Sequence, residues 1–223
     1  MQAGVAMDNL ASAIAVGTED AALIAALKAG SEEAFALLIA QYSQPLYSVI
    51  ARSLRDPADA ADITQEVFIK VFRSIRSFHG EASLRTWLYR IALREASNQR
   101  RWWSRHKRQE ITIDSPLGAS GQDEQDDGVC LGALLRDSSG SPYDHTAQGE
   151  LKIRVEDALR KLPEAFQRVV ILREMEGFSY EEIAEILEIP AGTVKSRLTR
   201  GRAALKQILT EQGLGKLLVG GVR

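Results

Sequence analysis

The chain has 223 residues, 45% of them hydrophobic, with 28 Lys and Arg against 30 Asp and Glu and a formal net charge of -2. That length holds one large or two small domains with real apolar cores. The near-balanced charge excludes whole-molecule attraction to nucleic acid, so any contact with a polyanion must come from local segregation of basic residues. Cys130 is the only cysteine, which excludes an internal disulfide or a cysteine-based zinc site and suits a reducing cytosol. No apolar run approaches the roughly 20 residues of a membrane span, and no basic stretch precedes an apolar one near Met1. A cytoplasmic protein with no membrane insertion is expected. Abundant Ala and Leu, with few alternating β-branched runs, predict an all-α fold.

Residues 1–18 are small, apolar and aperiodic and receive no assignment. A helix is predicted over 19–29, ending at Gly30. Ser31 then caps a second helix with Phe35, Leu38, Ile39 and Tyr42 on its core stripe. Pro45 is expected to open a separate helical segment through Leu46, Val49, Ile50 and Leu54, stopped by Asp56-Pro57.

The helix predicted over 58–78 buries Ile63, Val67, Val71 and Ile75, with Phe68 and Phe72 beside them. Its other face carries Asp59, Asp62, Gln65, Glu66 and Arg73, with Ile69 among them. An acidic face around one apolar residue suits docking on a basic surface with an apolar centre. It equally suits a solvated helix with one exposed isoleucine. His79 to Ser83 form a loop. A helix from Leu84 to about His106 follows, with Leu84, Trp87, Leu88, Ile91 and Ala92 apolar, and Arg85, Arg90, Arg94, Asn98, Arg100, Arg101 and Arg105 on the rest. Trp102 and Trp103 lie inside this basic cluster. Cations for phosphates beside flat rings for bases are the ingredients of single-strand binding. Core packing of one tryptophan among solvated arginines would give the same pattern.

Over 109–146 apolar periodicity disappears, Ser, Gly, Asp and Pro dominate, and Asp123, Glu124, Asp126 and Asp127 cluster. This predicts a flexible acidic linker. It divides the chain into two small helical domains, 19–108 and 147–212, with a tail over 213–223. The second domain opens with a helix through Val155, Leu159 and Leu162. A helix started by Pro163 follows, through Phe166, Val169, Val170 and Leu172.

Gly177 to Leu209 carries the clearest local signals. Ser179 and Glu182 have capping-box spacing, and Ile183, Ala184 and Leu187 make one apolar face. Glu188-Ile189-Pro190-Ala191-Gly192 breaks the helix. A second helix starts near Thr193 and buries Val194, Leu198, Gly201, Leu205 and Ile208. Ser196, Arg200 and Ala203 lie opposite, flanked by Lys195, Arg197, Thr199 and Arg202, with no acidic residue between Gly192 and Gln207. A capped short helix, a turn and a second helix with a basic, hydroxylic outer face form the helix-turn-helix pattern. A surface hairpin with a solvated basic face shares it.

His79, His106 and His145 are scattered without ligand spacing, and no P-loop, dinucleotide glycine pattern or nucleophile elbow occurs. No metal, cofactor or catalytic residue is expected.

Taken together, Asp62-Ile63-Thr64-Gln65-Glu66-Val67-Phe68, Thr86-Trp87-Leu88-Tyr89-Arg90-Ile91-Ala92, Tyr180-Glu181-Glu182-Ile183-Ala184 and Gly192-Thr193-Val194-Lys195-Ser196-Arg197-Leu198 resemble a bacterial extracytoplasmic-function sigma factor. The resemblance covers about residues 19–209 outside the linker. It implies a first domain that binds the core RNA polymerase clamp through Asp59, Asp62, Gln65, Glu66 and Ile69. That domain would hold the minus-ten strand through His79, Gly80, Ser83, Arg94, Asn98, Arg101 and Trp102. Extruding a base costs a few kcal/mol, so a shaped loop with phosphate contacts is physically needed there. Relatives often carry Asn where this chain has Arg94, which shifts the expected minus-ten preference.

The second domain would bind the polymerase flap and the minus-thirty-five element. Lys195, Ser196, Thr199 and Arg200 are expected at base edges, Arg173, Arg197 and Arg202 at phosphates, with Thr193 at the helix start. The resemblance also implies an anti-sigma partner and no catalytic activity. The other reading of the residues is a stand-alone helix-turn-helix regulator.

Overall fold

A computed structural model describes residues 20–54, 57–107 and 142–214, and the helices they form contain no strand among them. The unassigned segment 1–18, most of the linker expected over 109–146 and most of the tail expected over 213–223 lie outside these residues. Among the described residues, eight α-helices follow in chain order. In the first body these are α1 (20–29), α2 (Glu32–Ser53), α3 (Ala60–Ser74, with 3-10 turns at Pro57–Asp59 and Ile75–Ser77) and α4 (Leu84–Lys107). In the second they are α5 (Pro142–Lys161), α6 (Glu164–Val170), α7 (Tyr180–Leu187) and α8 (Ala191–Glu211). α5 therefore begins inside the span read from sequence as linker.

The Ser31 side chain caps α2 by accepting from the Ala34 amide at 3.2 Å. Contrary to expectation, α2 runs unbroken through Pro45. A proline inside a helix removes one backbone bond, here the one to the carbonyl of Gln41, which lies on the exposed side where water can satisfy it. Tyr42, Leu46, Val49 and Ile50, buried on both sides of the proline, keep the two segments one helix. At 22 residues α2 is also long and apolar enough to cross a membrane, which corrects the reading that no run approaches that length. Its buried residues belong to the core shared with α3 and α4.

Two side chains expected on the core stripes are not there. Ile39 is 45% exposed and Phe72 62% exposed. Phe72 instead meets Phe35 on the surface between α2 and α3, ring centroids 4.8 Å apart. The remaining α3 stripe, Ile63, Val67, Val71 and Ile75, is buried as read.

In the second body, α5, α6 and α7 all pack on α8. α6 continues as a π-helical turn over Ile171–Met175, closed by the Glu176 amide donating to the Ile171 carbonyl at 3.2 Å. The two bodies touch: α4 lies against α7, and α2 against α5 and α6. One continuous cluster of buried apolar side chains runs through both.

Candidate nucleic-acid interfaces

The α7–α8 unit is built by local chemistry. The Ser179 hydroxyl accepts from the Glu182 amide at 3.2 Å, and the Glu182 carboxylate accepts from the Ser179 amide at 2.8 Å. Both halves of the capping box are present, satisfying two amides the helix leaves unpaired. α7 stops at Glu188, which adopts left-handed geometry (φ 55°, ψ 47°), while the Ile189 amide donates to the Ala184 carbonyl at 3.1 Å. α8 starts at Ala191, two residues before the expected Thr193, because the Pro190 carbonyl accepts from the Thr193 and Val194 amides at 2.9 and 3.1 Å.

Val194, Leu198, Gly201 and Leu205 face inward, whereas Ile208 is half-buried and Leu209 takes the last buried position. Gly201 lets α8 approach α6: a Cβ there would lie 2.8 Å from Val170 Cγ2 and 3.3 Å from Phe166 Cβ. Lys195, Ser196, Thr199 and Arg200 are all exposed on the outer face, and Thr193 is half-exposed beside them.

The three arginines read as phosphate contacts sit differently. Arg173 is half-buried, donates to the Phe178 carbonyl at 2.9 Å and stacks on Tyr180 at 5.0 Å, with Lys195 approaching the same ring at 6.0 Å. Arg197 lines a cavity of about 260 Å³ with Glu164, Ala165, Arg168 and Leu187. Arg202 aims Nε and Nη2 at Glu174 Oε1, at 3.0 and 2.7 Å, in a largely buried pair that fastens α8 to the π turn.

In the first body, Gly80 takes φ +78°, a conformation open to glycine at little cost, and it turns the chain out of α3. His79 and Gly80 are exposed at this corner, above the packed pair Phe78 and Trp87, 5.0 Å between centroids. Ser83 is engaged as a cap: its hydroxyl accepts from the Thr86 amide at 3.0 Å. Along α4, Arg94, Asn98 and Arg101 form one exposed line, with Arg101 donating to the Asn98 side chain at 2.9 Å. The side chain of Trp102 lies outside the described residues. Asp62, Gln65 and Glu66 are exposed on α3, while Asp59 and Ile69 are half-buried beside them.

The sequence reading missed the contact between the bodies. Tyr89 donates to Glu176 at 2.5 Å and meets Phe178 edge-on at 4.8 Å. Burial first, then the Glu176 carboxylate, pushes the Tyr89 phenol well above its ordinary range, so it stays a donor. The Arg85 guanidinium sits 4.0 Å from the Phe178 ring and 5.5 Å from that of Tyr89 while donating to the Glu176 carbonyl. Gln167 donates to the Arg52 carbonyl at 2.9 Å. Arg168 reaches Ser97 and Glu164, and Arg94 pairs with Glu188, whose carboxyl this bond holds below its ordinary range. Among the described residues no group of three or more His, Cys, Asp or Glu could hold a metal.

Residues 38–108 match the Sigma-70 region 2 family, and residues 152–205 match Sigma-70 region 4. The chain is 36% identical over 187 residues to the ECF RNA polymerase sigma-E factor of Haemophilus influenzae, covering 84% of this chain and 93% of that one. It is 34% identical over 191 residues to the RNA polymerase sigma-H factor of Pseudomonas aeruginosa, covering 86% and 94%. Among solved structures, its fold is similar to CnrH in complex with the cytosolic domain of CnrY (TM-score 0.59, 20% identity, 86% of this chain and 97% of that one). It is also similar to the sigma factor RpoE in complex with the anti-sigma factor NepR from Bartonella quintana (TM-score 0.57, 24% identity, 79% and 96%). Matches in both halves, in this order and over most of the chain, place it in the extracytoplasmic-function group of the sigma-70 family.

Proposed function

We propose that this sigma factor binds core RNA polymerase and directs promoter-specific initiation, reading the minus-thirty-five element as duplex and holding the melted minus-ten strand, with no catalysis of its own. The observation that supports this most is the outer face of α8. Lys195, Ser196, Thr199 and Arg200 stand exposed on the second helix of a capped helix-turn-helix, the geometry that enters a major groove. Their types, two cations and two hydroxyls, match donors and acceptors on base edges. Arg173 and Arg197, half-exposed at its margins, are the phosphate contacts of this reading, whereas Arg202 positions the helix through Glu174.

On the first body, the strand contacts we propose are Arg94, Asn98 and Arg101, exposed along α4, together with Trp102 and the exposed His79–Gly80 corner. Ser83 supports these contacts by capping α4. The exposed carboxylates and amide of Asp62, Gln65 and Glu66, with Asp59 and Ile69 beside them, form the surface for the polymerase clamp, while the second body meets the flap. An anti-sigma protein is the regulator we propose, supported by the structural relative RpoE in complex with the anti-sigma factor NepR, and the chain works in the cytoplasm.

The reading is tested by Asp62→Lys combined with Gln65→Ala. Both positions are exposed, so the fold survives. Co-purification with core polymerase is expected to be lost while the circular dichroism spectrum is unchanged. Retention on core polymerase at the wild-type level would remove this face from the polymerase contact.

A further inference from the structure

We propose that the second body is a latch on the strand-holding face of the first: Glu188, carried on the turn between α7 and α8, holds Arg94 and must withdraw before α4 can take a melted strand. This rests on the reading of Arg94, Asn98 and Arg101 as strand contacts.

Successive four-residue steps along α4 (Arg85, Tyr89, Leu93, Ser97) form the stripe turned toward the second body, three of them with polar or ring contacts to it. Arg101 continues that stripe, and Arg94 and Asn98 lie one residue further round the helix. The second body therefore lies along the flank of α4 that carries the strand residues, and the Glu188 carboxylate reaches round to Arg94, the first of them. Carboxylate and phosphate oxygens offer a guanidinium the same charge-assisted acceptors, so Glu188 occupies Arg94 as a phosphate would.

The backbone at Glu188 is a second, independent observation. It is the one described non-glycine residue with positive φ, at a turn where glycine would sit without strain. A glutamate kept in left-handed geometry, with its side chain extended to another body, is strain held at a working position. An exposed pair of this kind is weak alone. The closed arrangement has an apolar centre in Tyr89 and Phe178, with Arg85 against both rings, and Glu176 and Gln167 satisfying polar groups around it. The base-edge candidates of α8 remain exposed in this state. The latch thus engages one residue, Arg94, of one DNA-reading surface and leaves the other open.

Two full-length variants test this. Tyr89→Phe keeps the ring and the net charge but loses the donor to Glu176. Glu188→Gly removes the carboxylate and suits the left-handed turn, so it cannot fail merely by misfolding. The probes are a fluorescein-labelled single-stranded twelve-nucleotide oligomer and a duplex of the same sequence, with Glu185→Gln, exposed on the same helix, as the charge control. Both variants are expected to bind the single strand about threefold or more tightly than wild type, with duplex binding unchanged. Tyr89→Phe is also expected to have a larger radius of gyration by X-ray scattering. Unchanged strand affinity in both variants would overturn the latch, and so would an equal gain on strand and duplex or an equal gain in the Glu185→Gln control. If the latch fails in this way, Arg94→Ala in the polymerase holoenzyme separates the causes. Impaired permanganate reactivity of the promoter would leave the strand reading standing, and normal melting would end both.

Discussion

Gly201 shows how one residue sets the position of the DNA-reading helix. Replacing it with Ala gains helix propensity, about 1 kcal/mol. The added methyl, however, would fall 2.8 Å from Val170 Cγ2 and close to the Phe166 backbone oxygen at 3.4 Å. Val170 is fully buried and branched at Cβ, so it has little room to turn away. Overpacking of this kind costs about 1–3 kcal/mol, so the clash wins. Gly201→Ala is expected to lower the urea midpoint with an unchanged m-value; an unchanged or higher midpoint would show that α6 and α8 separate without strain. Gly201 was legible in the sequence as one member of a buried stripe, because its spacing from Val194, Leu198 and Leu205 follows the helical repeat. Arg202 was not: it lies among basic residues on α8, and its partner Glu174 sits 28 positions earlier on a π turn that has no local pattern to announce it.

At the scale of elements, the sequence was most readable where local hydrogen bonding decides the outcome. Ser179 with Glu182 and Ser31 before α2 were both recoverable as caps, since each side chain satisfies an amide within three residues. Ser179→Ala removes the acceptor for the Glu182 amide and is expected to cost about 1 kcal/mol. Thermal unfolding read in the second body checks this, and a loss near zero would show that water replaces the cap fully. Reading failed where tertiary burial overrides a local preference. Pro45 is a helix breaker by itself, yet Tyr42, Leu46 and Val49 are buried along one continuous face across it. Phe72 failed for the opposite reason: it has a core residue's chemistry at the edge of the stripe, and the fold leaves it on the surface against Phe35.

At the scale of the molecule, two bodies share one chain, and their relation is what local patterns could not convey. Arg85 and Tyr89 read as parts of an amphipathic helix, and Glu176 as a residue leading into the next one. Only the folded chain brings them together across 87 positions or more. The same arrangement gives the proposed division of work, with α3 toward the polymerase, α4 toward the open strand and α8 toward the duplex. The most direct measurement is run-off transcription with purified core polymerase on a library of random promoter sequences. The account predicts transcripts that require this chain and share two spaced sequence elements, the upstream one losing its selection in Arg200→Ala. Core polymerase whose output is unchanged by the added chain, with no element enriched, would contradict it.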